Sequence, residues 1–450
     1  MDQAELVEQV RTLLADAFSV SKEEIPADLA FGGIPQWDSM GHMGVMMLLE
    51  ERFGIPLDAE LIGSLTIPEF LTGEVQSKLA YVDEAIVRAR VAAAGDGITL
   101  ELRTPVEGPA RQALEDKVQR IVEAMVKGAF KPKVQVLEDF SGRPVPYAAD
   151  PNAELLARGE MFQEATGIFT VGPLVTKLIA FFEDQFLALA DSFDAAPYRF
   201  PTLIPARYLE RVNYFRAFPH SLTFVTHLRE DLDVIDDFSQ HAACDEHGLL
   251  NASRESFSQL QTLLSPAVCY HLYFTLADKP LPGGQLSATA VGNCFRYESV
   301  NLASLERMWN FTMREVIFVG SKDFVLQNRE TGRERMRGFF ESIGLAYHVE
   351  SANDPFFIGE FKKQAAFQSA FQLKFEIRAR LPFKGDTLAV GSYNYHQDFF
   401  GRALNISLPD GSPAHTGCIA FGLERMAYAF LAQYGLETAD WPEVVRKEVG

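Results

Sequence analysis

Cysteine is scarce. The four residues Cys244, Cys269, Cys294 and Cys418 are too few and too scattered in 450 to build a disulfide framework, and a reducing, cytoplasmic setting is expected. Long apolar runs are missing too: no stretch of about 18 such residues occurs, so no membrane-spanning helix is expected. The opening Met1-Asp2-Gln3-Ala4-Glu5 lacks the basic-then-apolar order of a signal peptide. Positive charge is in deficit, 41 Lys+Arg against 61 Asp+Glu, and a net charge of −20 disfavours non-specific nucleic-acid binding. Repeats and low-complexity tracts are absent.

What remains is an ordinary folded composition, 47% hydrophobic and 23% charged, in a chain long enough for one small and one large domain. The charge is uneven: residues 1–80 carry 14 acidic and 4 basic side chains, half of the net charge in under a fifth of the length. Leu6, Val10, Leu13, Leu14 and Phe18 form a helical stripe. Asp38 and Ser39 stand as N-cap candidates for a helix over Met40–Phe53, which Gly54-Ile55-Pro56 stops. A serine at such a helix start is exposed, and the helix dipole there favours an attached phosphodiester. The stripe, the long loop to Trp37-Asp38-Ser39-Met40 and the acidic helix with Glu50 and Glu51 resemble an acyl or peptidyl carrier protein. That resemblance implies a small helical bundle over 1–80, with phosphopantetheine attached covalently to Ser39 by a phosphopantetheinyl transferase.

Residues 81–150 read as an alanine-rich connector with helical segments. From 151 to 450 aromatic residues multiply and strand-like runs alternate with helices, as in α+β enzymes. Gly292-Asn293-Cys294-Phe295-Arg296-Tyr297-Glu298-Ser299, a polar loop, and Arg307-Met308-Trp309-Asn310-Phe311-Thr312-Met313-Arg314-Glu315 resemble motif 2 of class II aminoacyl-tRNA synthetases. Gly417-Cys418-Ile419-Ala420-Phe421-Gly422-Leu423-Glu424-Arg425-Met426 resembles motif 3, and Leu174–Phe193 followed by Phe200-Pro201-Thr202-Leu203-Ile204-Pro205 resembles motif 1. The expected fold is thus α+β, a helical carrier domain followed by a class II antiparallel sheet flanked by helices. By resemblance Arg296 holds the α-phosphate of ATP, Glu298 the adenine amino group, Phe311 stacks on adenine, and Arg425 meets the γ-phosphate, with Arg307 a further contact. Fixed guanidinium groups suit the negative charge that builds when a carboxylate attacks phosphorus.

Within that class the chain is similar to zinc-dependent atypical seryl-tRNA synthetases, and more so to amino acid:carrier protein ligases, on Ser265-Pro266-Ala267-Val268-Cys269-Tyr270-His271, Glu315 and Gly417-Cys418. The likeness implies Cys269, Glu315 and Cys418 as zinc ligands; read without it, the two cysteines are buried core thiols. Two thiolates and a carboxylate leave a fourth tetrahedral position for an amino acid's α-amine. Phe218-Pro219-His220-Ser221-Leu222-Thr223-Phe224-Val225 carries a further likeness, as does Ser392-Tyr393-Asn394-Tyr395-His396-Gln397-Asp398. The latter offers Asn394, His396 and Gln397 as substrate or ATP contacts and contains no glutamate for the Mg2+ that accompanies ATP. The expected partners are ATP, a small amino acid and a carrier domain in the same chain or the other subunit of a homodimer, with neither tRNA nor membrane. The reaction implied is adenylation of the amino acid and transfer to the carrier thiol; a seryl-type tRNA synthetase and a non-catalytic scaffold are the alternatives. Arg329, Arg333, Arg335 and Arg337 read either as a carrier-docking cluster or as a solvated helix face.

Overall fold

The computed structural model describes residues 66–126, 134–354 and 372–450, together with Thr12, Leu14, Ala15, Ser21 and Lys22. Ser39 and the helix expected over Met40–Phe53 lie outside the described residues. The chain divides into two compact units, one containing residues 66–126 and the other residues 134–354 and 372–450.

In the first unit, helix α1 (Thr72–Leu79) is followed by an antiparallel hairpin, β1 (Ile86–Val91) and β2 (Ile98–Leu102), and by helix α2 (Gly108–Val126). Leu71, Val75 and Leu79 project at helical spacing and share a core with Val122 and Met125, against which Val91 and Ile98 of the hairpin pack. The helical reading of 81–150 is therefore corrected between 86 and 102. Ala92, Ala93 and Ala94 belong to the turn between two strands, and Gly95 takes the positive φ (72°) that this turn needs.

The second unit is built on an eight-stranded sheet. In chain order its elements are β3 (Val136–Asp139), α3 (Pro173–Asp191), β4 (Ala196–Pro197), β5 (Leu203–Pro205), β6 (Phe224–Val225), β7 (Thr262–Leu264), α4 (Cys269–Leu276), β8 (Leu286–Phe295) and β9 (Asn310–Gly320). After these come α5 (Lys322–Ser342), β10 (Tyr347–Ser351), β11 (Lys374–Leu381), β12 (Asp386–Tyr395), β13 (His415–Gly422) and α6 (Leu423–Tyr434). The sheet order is β3-β10-β11-β12-β13-β9-β8-β4, antiparallel throughout its long strands, while β5, β7 and β6 form a separate three-stranded sheet. Strand β3 precedes residue 151, so the sheet reaches further back than the change in composition.

The central strands β9 and β13 are buried on both faces because both faces are covered, and apolar apart from Arg314 and Glu315 towards the middle of β9 and small polar residues such as Thr416. On one face lie α3, α5 and α6. There Phe186 of α3 stacks on Phe421 of β13 with ring centroids 3.8 Å apart, and Phe182 meets Phe430 of α6 edge-on. Helix α5 opens on Ser321, whose side chain accepts the Phe324 N–H. Helix α6 stops at Gly435, where φ is 70° and an added Cβ would collide with Tyr147. On the other face, α4 and the small sheet close over Ala420 and Cys418 with Ile204, Leu263, Leu272 and Phe400. Among the described residues no helix is long and apolar enough to cross a membrane.

The Phe186–Phe421 stack should dominate the helix-side core. Replacing Phe186 by alanine leaves a cavity that neighbours on three helices cannot fill, and should cost about 3–5 kcal/mol, read from urea unfolding against the parent chain.

Candidate active site and metal centre

Glu315 sits in the middle of β9 and Cys418 in the middle of β13. In their antiparallel register Glu315 faces Ala420 and Ile317 faces Cys418, so period-2 alternation puts both ligand-type side chains on the face away from the aromatic core. Cys269 opens α4, which lies over that face. The three ligand atoms fall within 4.8 Å of one another, and the residues are 5% (Cys269), 1% (Glu315) and 4% (Cys418) exposed.

Glu315 Oε1 accepts the Val268 N–H at 3.1 Å. Its other oxygen, Oε2, is buried and receives no well-aligned hydrogen bond, although both thiols lie close enough to perturb the carboxyl. Burial pushes the Glu315 carboxyl up. The hydrogen bond with Cys418, burial and the Glu315 charge push Cys269 well above the usual thiol range. A buried carboxylate oxygen without a donor, between two thiols that resist ionisation on their own, is a donor set that a thiophilic cation would complete. Asn394 reaches the same place from β12: its Nδ2 donates to Cys418 Sγ at 3.4 Å and to Ser392 Oγ at 2.9 Å.

Beyond Glu315 the β8–β9 hairpin carries the arginine and aromatic residues singled out in the sequence. Arg296 donates from Nε to the Pro266 carbonyl at 3.0 Å, and its guanidinium lies 5.4 Å from the Phe311 ring centroid. Arg307 pairs with Glu298 at 2.6 Å. Burial opposes ionisation of Glu298, but Arg307, Arg425 and Arg296 together hold its carboxyl below the ordinary range. Arg425, at the start of α6, donates to the Ala389 carbonyl at 3.4 Å. The structure thus gathers Arg296, Glu298, Arg307, Phe311 and Arg425 at one end of the sheet face that bears the cysteines.

His396 is engaged inside the fold, its Nδ1 within 3.4 Å of Tyr273 Oη and 3.2 Å of Thr416 Oγ1. Burial drives its ring down to about 4, so it is neutral at pH 7. Cys294 is a buried thiol beside Phe311 and Val268, and Cys244 is exposed. Of the α5 arginines, Arg335 is exposed and Arg337 half-exposed, while Arg329 and Arg333 are drawn into the fold. Arg333 pairs with Glu330 and with buried Glu138, Arg335 donates to Ser192, and Arg329 caps the Gln372 carbonyl. Two groups went unnoticed in the sequence. Glu424, part of the motif 3 stretch but given no role, accepts the Thr312 N–H on both oxygens (3.0 and 2.9 Å) and ties α6 to β9. In the other, Lys374 of β11, in line with Asn394 and Cys418, pairs with Asp354 at 2.7 Å and Glu376 at 3.1 Å.

No family model matches the chain. Over 253 residues it is 36% identical to amino acid–[acyl-carrier-protein] ligase 2 of Bradyrhizobium diazoefficiens, covering 56% of this chain and 74% of that relative. Ligase 1 of the same organism is 35% identical, with 76% of its length covered. A type-2 serine–tRNA ligase of Methanococcus aeolicus is 26% identical over 71% of this chain and 63% of its own length. Among solved structures, a chain of the complex of A. aeolicus tRNASec with M. kandleri SerRS superposes with a TM-score of 0.64 at 19% identity, covering 100% of this chain and 94% of that one. The catalytic unit therefore has the α+β class II synthetase-like fold around an antiparallel sheet.

Zinc titrated into metal-free protein should bind at one site per chain. Changing Cys418 to serine should weaken it by more than the roughly 10–100-fold that loss of an outer contact costs, measured by competition with a chromophoric chelator.

Proposed function

This chain belongs to the amino acid–[acyl-carrier-protein] ligase family, and we propose that it activates a small amino acid with ATP and transfers it to a phosphopantetheine thiol carried on Ser39. The observation that carries the reading is the buried Cys269, Glu315 and Cys418 trio on the same sheet face as the Arg296, Glu298 and Arg425 cluster. The trio would hold zinc, which when bound supplies Lewis acidity and an open fourth position suited to an unprotonated α-amine. An amine held there would put the substrate carboxylate on the sheet face at whose end Arg296 lies.

In the first step a carboxylate oxygen attacks the α-phosphorus of ATP, and the bond to the β-phosphate oxygen breaks with release of pyrophosphate. Arg296 stabilises the charge on the α-phosphate, Phe311 and Glu298 hold the adenine, and Arg425 with Arg307 receives the outgoing phosphates, with magnesium arriving as part of the nucleotide substrate. In the second step the pantetheine sulfur attacks the acyl carbon, the bond to AMP breaks, and the thiol proton passes to solvent. A carrier in the same chain, or in the other subunit of a dimer, raises the thiol's effective concentration. The part given to Ser39 rests on Trp37-Asp38-Ser39-Met40 and on the acidity of residues 1–80.

Similarity to serine–tRNA ligases favours a second reading, charging of tRNA, against which the net charge of −20 weighs. The two separate in one experiment. Full-length protein carrying the pantetheine group, supplied with zinc, ATP and each amino acid in turn, should gain one aminoacyl mass on the intact chain, reversed by hydroxylamine. Ser39→Ala should abolish that gain and keep amino-acid-dependent pyrophosphate exchange, whereas Arg296→Ala should lower exchange by at least about 100-fold. An amino acid recovered on tRNA and never on the chain would decide for the second reading.

A further inference from the structure

Two consecutive residues of the motif 2 loop, opposite in charge, reach different partners. Arg307 pairs with Glu298 in the site, whereas Glu306 is held by two other elements of the fold. One Glu306 oxygen accepts from the Lys384 ammonium, which comes from the single turn Pro382–Lys384 between β11 and β12. The other accepts the Tyr428 hydroxyl of α6 at 3.3 Å. The Tyr428 oxygen in turn accepts Asn152 Nδ2 at 2.9 Å. Burial, and after it the Glu306 charge, pushes the Tyr428 phenol up, so the hydroxyl keeps its proton and donates. The backbone around Glu306 is a closed turn. Arg307 N–H donates to the Ser304 carbonyl at 3.0 Å, Ala303 N–H to the Arg307 carbonyl at 3.3 Å, and Glu306 N–H to Ser304 Oγ at 3.2 Å. A carboxylate bound at both oxygens therefore fixes the turn from which Arg307 extends.

The anchor also selects which helix the loop is tied to. Tyr428 lies three residues after Arg425, on the same side of α6, so Glu306 joins the loop that bears Arg307 to the helix that bears Arg425. The Arg307–Glu298 pair is too exposed to do this by itself, because solvent screens it. The Glu306 side chain is only 18% exposed and has partners on two elements. Without the anchor, the turn would spread Arg307 over many positions, and a phosphate contact would have to supply the lost ordering. We propose that Glu306 is a positioning residue: through Lys384 and Tyr428 it locks the motif 2 turn to α6, so that Arg307 and Arg425 meet the phosphates of one nucleotide. This inference rests on the nucleotide-binding role given to those two arginines.

The test is pyrophosphate exchange by zinc-loaded full-length protein, with ATP and then the amino acid as the varied substrate. Glu306→Gln keeps the shape of the side chain and removes its charge. It should raise KM for ATP at least about fivefold and leave KM for the amino acid unchanged. Equilibrium dialysis of ATP, with no amino acid present, should show the same loss. Lys384→Met should act alike, and the two changes together should cost less than the sum of their separate effects. Lys384→Arg, which keeps the ion pair, should preserve the parent value. In an Arg307→Ala background Glu306→Gln should add nothing, because the group it positions is gone. Should Glu306→Gln not fold, Lys384→Met, at a side chain 36% exposed, carries the same comparison. An unmoved KM for ATP in the folded variants, or an effect of Glu306→Gln undiminished without Arg307, overturns the inference and leaves the activation reading standing. No exchange by the parent protein with any amino acid overturns both.

Discussion

The alternation of side chains across the β9–β13 pair is the constraint on which the rest of the molecule depends. Phe421 and Ile419 point into the helix-side core while Cys418 and Ala420 point into the site, so the Phe186–Phe421 stack and the cysteine position are two readings of one register. A slip of one residue in β13 would exchange Cys418 for Ile419, turn Phe421 away from the aromatic rings and cost more than any single contact. Gly417 tightens the same point, because a Cβ there would sit 2.6 Å from the Asn394 carbonyl oxygen and equally close to Val325 of α5. The donor set is therefore held by the core and does not depend on a loop.

How legible this was in the sequence differs from element to element. The hairpin β8–β9 and the β13–α6 step were readable because their chemistry is local: an arginine, an acid and an aromatic residue within some twenty positions, then a strand running into a helix. Cys269, Glu315 and Cys418 lie far apart along the chain, and spacing alone left the two cysteines as core thiols; only likeness to a family joined them. Their convergence is a property of register and of α4 crossing the sheet, neither of which a linear pattern expresses. Lys374, Glu376, Arg378 and Arg380 alternate with Phe375, Ile377, Ala379 and Leu381, which reads as a strand with one solvated face. That face is in fact half-buried, because Lys374, Glu376 and Arg378 pair with Asp354 and one another and Arg380 donates to the Ser141 and Arg143 carbonyls. Similarly, the α5 arginines resemble a surface cluster until Glu138, nearly two hundred residues earlier, arrives from the edge strand.

The charge distribution follows the same logic of two faces. A chain with 20 more acids than bases offers little attraction to a polyanion through its overall field, so the proposed nucleotide chemistry would need positive charge that is local and fixed. Arg296 and Arg425 fit that need: each is tied to a main-chain carbonyl, of Pro266 and Ala389, and would lose little freedom on meeting a phosphate. Glu298 is kept ionised by three guanidinium groups around it and serves as their counter-charge.

Arg307 is the exception among these arginines, and the difference has a physical consequence. Its side chain is 48% exposed and its ion partner is the single Glu298 carboxylate, a bond that solvent screens and that contributes little to stability. Exchanging that partner for a phosphate oxygen costs almost nothing, while the same exchange at Arg296 would break a buried backbone contact. In the proposed reaction, preorganisation and mobility would thus be divided between Arg296, held rigid where the reacting phosphorus would be placed, and Arg307, loose where phosphates would leave. The motif 2 loop, pinned by buried Leu302, Leu305 and Met308 on either side of its polar residues, lets Arg307 move as a side chain without moving the strand that carries Phe311.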